Sequence, residues 1–192
     1  MPSHSSILLI EDSPGECELF RLALKQTEID IALYAQHDAD AALHFLEDRY
    51  HQSSIQARSH ASQEGSLNWS PIARVERTPP TISVSDSSRV SRSASTRDQS
   101  GLPSLILLDL QLRGQHGRDV LKRLHADARF RHIPVVIFTT SDDASDIAAC
   151  YAEGANAYVV KPGTFEELVR CTERMCRFWL EMNLAPAGLV SP

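Results

Sequence analysis

Short apolar runs alternate with amphipathic segments along most of the chain. The runs that are long enough for strands lie at 7–10, 30–34, 104–109, 133–139 and 157–160. After each run, apolar residues recur every three or four positions, which is the period of one helix face. The helices are predicted to follow residue 13, to span 38–49, 117–127 and 143–153, and to follow residue 164. Five apolar strands that alternate with five helices predict an α/β fold on an open parallel sheet.

Residues at the ends of several segments support these helices. Residues 13–16, Ser-Pro-Gly-Glu, have the spacing of a capping box with proline at the first helical position. Gly154 is predicted to end the fourth helix. Thr164 and Glu167 have the capping spacing before the last helix. In that helix, one side is predicted to carry Leu168, Thr172, Met175 and Trp179.

The segment 51–102 differs in composition from the rest of the chain. It is rich in Ser and Arg, lacks Lys and has only isolated apolar residues, so it buries too little apolar surface to offset chain entropy. We predict a single domain over 5–182, interrupted by a long flexible insertion at 51–102 between helix 2 and strand 3, with a tail at 183–192. The Arg-x-x-Ser spacing at 92–95 indicates either a kinase target or docking segment, or an inert loop, whose closure cost grows slowly with length.

Charge and cysteine usage narrow the class of protein. The net charge of −6 argues against general nucleic-acid binding. The scattered cysteines lack metal-site spacing and are predicted to be free thiols in a reducing compartment: Cys17, Cys150, Cys171 and Cys176. The apolar run at 7–10 is too short for a secretion signal or a membrane span. We therefore expect a cytoplasmic protein with no membrane or nucleic-acid partner.

Acidic residues end the two strands that meet at the centre of the predicted sheet. For five strand–helix units the common order is 2-1-3-4-5, and ligands bind beyond the carboxyl ends of strands 1 and 3. Those strands end in Glu11, Asp12 and Asp109. Neighbouring carboxylates repel one another unless a cation lies among them, and oxygen ligands suit Mg²⁺. Alternatively, Glu11 and Asp12 only stabilise the N-terminus of the first helix.

The ends of strands 4 and 5 add two more polar side chains to the same edge. Thr139 offers a hydroxyl that can donate to a phosphoryl oxygen, and Lys161 offers a charge that pairs with carboxylate or phosphate. Each is common at a strand end or turn and means little alone. Together with the acids of strands 1 and 3, they indicate one site.

Four segments resemble the signatures of the CheY-like receiver family of response regulators: LLIEDS, LILLDLQLRGQHG, IPVVIFTTS and GANAYVVKP. The resemblance covers nearly all of 6–182 outside the insertion. It implies a flavodoxin-like (βα)5 doubly wound parallel sheet in the order 2-1-3-4-5. It also implies a signalling switch that is not an enzyme beyond its own phosphorylation and dephosphorylation.

The resemblance assigns a role to each residue of the site. Asp109 matches the phosphoacceptor, which takes a phosphoryl group from a sensor histidine kinase. The Mg²⁺ ligands implied are Asp12 and Asp109 directly, Gln111 through its backbone carbonyl and Glu11 through water. Thr139 and Lys161 match the pair that contacts the phosphoryl group, and Thr139 and Tyr158 match the switch residues. Phosphorylation is then expected to change the face formed by helix 4, strand 5 and helix 5.

Three positions near the site depart from the family pattern or bear on the lifetime of the phosphoryl group. Arg113 stands where the family usually has proline. Gln111 and Ser141 occupy positions that modulate dephosphorylation in the family, and neither is an acid that would orient an attacking water. We expect a moderately long-lived phosphorylated state.

The end of the last helix, FWLEMNLAP, resembles the phytochrome-associated single-domain response regulators. This implies a phytochrome-type kinase as one candidate partner and a homodimer through the helix 4–strand 5–helix 5 face; alternatively, Trp179 is a core residue. Only six residues follow Pro186, so we expect no DNA-binding output domain. The output is either contact with a target protein or onward phosphotransfer.

Two other classes share parts of the pattern. A haloacid-dehalogenase-type phosphatase uses a strand-end Asp as nucleophile, as Asp109 would be, but needs a second Asp where this chain has Gln111. A flavodoxin-type flavin binder needs a Ser/Thr/Gly-rich loop after strand 1, where this chain has Glu11 and Asp12. Both readings are disfavoured by these residues.

Overall fold

The computed structural model describes residues 5–61 and 101–184. Its helices and strands follow in the order β1 (Ser6–Ile10), α1 (Pro14–Gln26), β2 (Ala32–Gln36), α2 (Ala39–Ala61), β3 (Leu105–Leu108), α3 (Gly117–Ala126), β4 (Val135–Thr139), α4 (Ala144–Ala152), β5 (Ala157–Val160) and α5 (Phe165–Cys176). Between β3 and α3, Gln111–Leu112 pairs with Gln115–His116 in a short antiparallel ribbon. A π-helical turn, Arg177–Met182, continues α5.

The five strands form one parallel sheet in the order β2-β1-β3-β4-β5. Ile10 lies opposite Leu108, and Leu108 lies opposite Ile137. Because the strands run in the same direction and in register, their carboxyl ends lie along one edge. The predicted fold class and strand order are confirmed.

Apolar residues of β1 and β3 alternate between two buried layers, one on each face of the sheet. One layer combines the strands with α2 and α3 and contains Leu8, Ile10, Ile106, Leu108, Leu46 and Val120. The other combines them with α1 and α5 and contains Ile7, Leu9, Leu105, Leu107, Phe20 and Met175. Helices cover both faces, which explains why these strands are continuous apolar runs rather than alternating ones.

The helix α2 is longer than its sequence pattern predicts. Instead of ending near residue 49, it continues to Ala61, so residues 51–61 of the predicted insertion belong to this helix. The ring of Tyr50 packs edge-on against Phe130 at 6.4 Å. The Ser53 and Ser54 hydroxyls then donate to backbone carbonyls one turn earlier, at 2.7 and 2.9 Å, which satisfies these polar side chains within a helix.

The far end of the predicted insertion also departs from the prediction, because Leu102 is buried in the core. The rest of the insertion, including the Arg-x-x-Ser spacing at 92–95, lies outside the described residues. So does most of the tail, from 185 onward.

The strand β2 begins two residues later than predicted, at Ala32. The delay follows from the end of α1, where the Thr27 hydroxyl donates to the carbonyl of Leu24 at 2.7 Å and accepts the backbone N–H of Ile29 at 3.4 Å. This turn uses the residues that precede the strand.

The predicted helix ends are confirmed at three positions. Ser13 caps α1 by accepting the backbone N–H of Glu16 at 3.4 Å. Thr164 caps α5 by accepting the backbone N–H of Glu167 at 3.3 Å. Gly154 follows α4 with φ of +101°, and a Cβ there would lie 2.5 Å from the His125 ring. The left-handed backbone conformation therefore favours glycine at 154, and a side chain there would also have to displace the exposed His125 ring.

The cysteine and membrane expectations can be compared with the described residues. The thiols of Cys17, Cys150, Cys171 and Cys176 are free, as predicted. Burial raises the pKa of Cys176 to about 12, so this thiol stays protonated and unreactive. Within 5–61 and 101–184, no helix is long and apolar enough to cross a membrane.

Candidate functional site

Backbone hydrogen bonds of the sheet bring the ends of four strands to one place. The N–H of Asp109 donates to the carbonyl of Ile10 at 3.0 Å, and the N–H of Lys161 donates to the carbonyl of Thr139 at 2.7 Å. One pocket is therefore lined by the residues that follow β1, β3 and β5 and by the last residue of β4. Glu11, Asp109, Thr139 and Lys161 are brought together as the sequence predicts.

Lys161 is the centre of this pocket. Its side chain is only 10% exposed, and its ammonium donates to Glu11 Oε2 at 2.6 Å and to Asp109 Oδ2 at 3.0 Å. It also donates to Glu16. Burial lowers the pKa of Lys161, but its hydrogen bonds to Glu11 and Glu16 and the attraction of Asp109 outweigh burial and raise that pKa above its usual value. The site therefore contains a permanent positive charge.

Asp109 is a buried carboxylate that stays ionised. Burial favours its neutral form, but the charge of Lys161 and hydrogen bonds from the Thr139 hydroxyl, Lys161 and the Gln111 backbone N–H hold its pKa below the usual value. The contact with Gln111 is 3.3 Å, to Oδ1. In Glu11, burial outweighs the same cation and raises the pKa. Of these two carboxylates, Asp109 is the more readily ionised.

Glu16 belongs to the pocket although sequence reasoning assigned it only to a helix cap. In a capping box its side chain would accept the backbone N–H of Ser13. Here Glu11 Oε1 accepts that N–H at 3.0 Å, so the Glu16 carboxylate is free to bind Lys161. Carboxylate oxygens of Glu11, Glu16 and Asp109 lie within 4.8 Å of one another. The only signal in the sequence was the position of Glu16 in the first turn of the helix that follows the acid pair.

Asp12 and Gln111 lie beside this group rather than within it. Asp12 Oδ2 pairs with Nε of Arg113 at 3.0 Å. Gln111 is exposed on the short ribbon, where its backbone N–H reaches Asp109 as described above. The loop after β3 thus contacts both carboxylates predicted to bind a metal directly.

Gly117 is a further residue whose role the sequence did not reveal. It begins α3, and its N–H donates to the carbonyl of Leu110 at 2.9 Å. A Cβ at this position would lie 2.1 Å from the backbone oxygen of Asp109. Any side chain there would displace either α3 or Asp109, so glycine is required.

Tyr158 connects the site to α4. Its hydroxyl donates to the carbonyl of Ser141 at 3.0 Å, and the Ser141 hydroxyl donates to Asp146 in the first turn of α4 at 2.8 Å. The Ser141 N–H points to the hydroxyl of Thr139, which is completely buried, at 3.5 Å. Both predicted switch residues therefore contact one loop. Partial burial raises the pKa of Tyr158, so its hydroxyl remains a hydrogen-bond donor.

The model of the response regulator receiver domain family matches residues 72–173, just over half of the chain. This chain belongs to that family. Receiver domains are signalling modules of two-component systems, and the family match does not favour the phosphatase alternative for Asp109.

Several individual proteins are similar to this receiver domain. Response regulator Rcp1 of Synechocystis is 29% identical over 182 residues, which cover 95% of this chain and 93% of that protein. The crystal structure of Mn²⁺-bound Rcp1 has a TM-score of 0.61, covering 95% of this chain and 99% of that one. The phosphorylated cyanobacterial phytochrome response regulator RcpA has a TM-score of 0.61 at 23% identity, covering 96% of this chain and all of that one, and supports the fold.

A second kind of relative matches only in part. The probable methanogenesis regulatory protein FilR2 of Methanothrix harundinacea is 40% identical over 85 residues, 44% of this chain. The match spans 55% of that protein. The similarity to Rcp1 is lower in identity but extends over nearly the whole of both chains.

Proposed function

We propose that Asp109 accepts a phosphoryl group from the phosphohistidine of a sensor histidine kinase. The observation that supports this most directly is the pairing of a buried, ionised Asp109 with Lys161 at 3.0 Å. A carboxylate oxygen of Asp109 forms the new bond to phosphorus as the bond from phosphorus to the imidazole nitrogen breaks, and its electron pair leaves with the imidazole. Lys161 and the Thr139 hydroxyl are positioned to stabilise the phosphoryl oxygens.

We assign a magnesium site to the same pocket, with Asp12, Asp109, the backbone carbonyl of Gln111 and, through water, Glu11 as its ligands. Two of these residues, Glu11 and Asp109, have carboxylate oxygens within 4.8 Å of each other and of Glu16, Asp12 lies beside this group, and hard oxygen ligands suit Mg²⁺. The Mn²⁺-bound form of the relative Rcp1 supports a divalent ion here. When bound, Mg²⁺ offsets charge on the transferring oxygens.

The switch depends on the loop that Thr139 and Tyr158 share. If Thr139 turns its hydroxyl to a phosphoryl oxygen, its contact with the Ser141 backbone is lost. Tyr158 and Asp146, which bind the same loop, then rearrange with it. A local change in charge thus biases the α4–β5–α5 face between two arrangements.

This face is the proposed output surface, and its partners are proteins. Phe178 and Met182, at the end of α5, are 50% and 71% exposed, whereas Trp179 is half-buried against the α1–α5 layer. The exposed pair supports a homodimer or a target contact.

The resemblance of this segment to phytochrome-associated regulators favours a phytochrome-type kinase as the donor. We place this receiver domain over 5–182, in the cytoplasm.

The decisive experiment is phosphate incorporation from labelled acetyl phosphate. We expect an alkali-labile label on the native chain that requires Mg²⁺ and is lost in Asp109→Asn. Failure of the native chain to take up label with Mg²⁺, or equal label in Asp109→Asn, would overturn the proposal.

Transfer to a histidine phosphotransfer protein distinguishes the two forms of output. Rapid, reversible transfer from phosphorylated Asp109 is expected of a relay intermediate. A terminal effector would instead lose its label slowly, by hydrolysis.

A further inference from the structure

Arg113 lies at the rim of the site, where it pairs with one carboxylate of the acid pair. It follows the strand β3 and belongs to the turn of the short ribbon, next to Gly114, whose φ is +81°. Its side chain is 84% exposed, whereas that of Asp12 is 14% exposed. The Nε atom of Arg113 lies 3.0 Å from Oδ2 of Asp12.

Charge is divided unequally between the carboxylates of the pocket. Lys161 binds Glu11, Glu16 and Asp109. Within the described part of the chain, Asp12 forms an ion pair only with Arg113. The guanidinium therefore supplies at Asp12 the positive charge that a metal ion would otherwise supply.

We infer that Arg113 competes with the divalent cation for Asp12 and so sets the metal affinity of the receiver domain. This role rests on the metal site proposed above. A metal ion that takes Asp12 as a ligand must displace the guanidinium, and the cost of this displacement weakens binding. Arg113 also places a positive charge beside the entering cation, which acts in the same direction.

The size of the effect follows from the exposure of the Arg113 guanidinium. Water screens the ion pair from this side, so breaking it is expected to change an equilibrium constant by about two- to fivefold. Removing the Arg113 charge should therefore tighten metal binding by about this factor. Because the guanidinium faces solvent, added salt should screen the interaction and reduce the difference.

The test measures Mn²⁺ binding to the unphosphorylated protein from the paramagnetic resonance signal of the free ion, with Mg²⁺ as competitor. Arg113→Gln removes the charge, and Arg113→Lys keeps it. Arg170→Gln is the matched control, since Arg170 is an exposed α5 residue paired with Glu166 at 2.8 Å and its loss changes net charge equally.

We expect Arg113→Gln to bind Mn²⁺ about two- to fivefold more tightly than the native chain at low salt. Arg113→Lys should stay close to native, Arg170→Gln should be unchanged, and the gain should shrink at high salt. Equal affinity of Arg113→Gln and native, or equal tightening in Arg170→Gln, would overturn the role of Arg113 while leaving the metal site intact. A native chain that binds neither ion would overturn both.

Discussion

Replacing Gly117 by alanine tests how closely α3 packs against Asp109. The Cβ of alanine would lie 2.1 Å from the backbone oxygen of Asp109 and 2.8 Å from the Cα of Leu110. Both obstacles are backbone atoms, which no side-chain rotation can move. The Cβ and the Asp109 oxygen must separate by about 1.4 Å to reach ordinary van der Waals contact.

Two opposing contributions decide the sign of the change in stability. Gly→Ala at an unstrained site stabilises a protein by about 0.4–1 kcal/mol, because the unfolded chain loses conformational freedom. Inserting a methyl group into a packed site costs about 1–3 kcal/mol. Since the obstacle here is backbone, we expect the upper end of this cost and a net destabilisation of about 2 kcal/mol.

Urea unfolding measures this loss, and the midpoint of Gly117→Ala should fall by about 1 M. Gly163→Ala is the control, because nothing lies within 4 Å of its added Cβ; its midpoint should equal or exceed that of the native chain. We also expect slower phosphorylation of Asp109 in Gly117→Ala, since the main chain of Asp109 is displaced. A Gly117→Ala protein with native stability and native labelling would refute this account of the site.

Three further substitutions follow from the contacts of the pocket. Lys161→Met should destabilise the protein by about 3 kcal/mol at neutral pH, because it leaves buried carboxylates without their cation. The pKa of Asp109 is lower in the folded protein than in the unfolded chain. Pairing with Lys161 therefore stabilises the fold at pH values above the unfolded pKa, and this stabilisation is lost as the pH falls through the folded pKa. Urea unfolding at pH 7 and pH 3 should therefore show a smaller loss at pH 3, and an equal loss would contradict this reasoning. Glu16→Gln should cost less than about 1 kcal/mol in the same assay because its side chain is 41% exposed; a loss as large as that of Lys161→Met would show that its bond to Lys161 is structural. Tyr158→Phe removes the hydrogen bond to Ser141 and should cost about 1 kcal/mol while Asp109 is still labelled; loss of labelling would place Tyr158 in the transfer step.

Local sequence was sufficient for the sheet and for the position of the main site residues. Runs such as 104–109 are apolar on both faces because helices cover both sides of the sheet. Once five such strands are parallel, their ends share an edge, whatever the details of packing. Asp109 and Lys161 are 52 positions apart in sequence, yet they could be placed together from this rule alone.

The length of α2 could not be read from composition. Polar, Ser-rich sequence after residue 50 has little helical preference of its own. The helix continues because Tyr50 packs on Phe130 from a distant part of the chain and because local serine hydroxyls bind the helix carbonyls. Only the first of these contacts depends on the tertiary structure, and it lies at the point where the prediction ended the helix.

The sequence by itself determined the fold class, the strand order and the edge at which Glu11, Asp109, Thr139 and Lys161 meet. These follow from hydrophobic periodicity and from the geometry of parallel sheets. Only the tertiary structure decided how the charges are paired within that edge. The Glu16 carboxylate binds Lys161 rather than the backbone N–H of Ser13, and Asp12 pairs with Arg113. These pairings could not be predicted locally, because the free energy of a charge depends on all the charges and burial around it. Those surroundings are assembled only when the chain has folded.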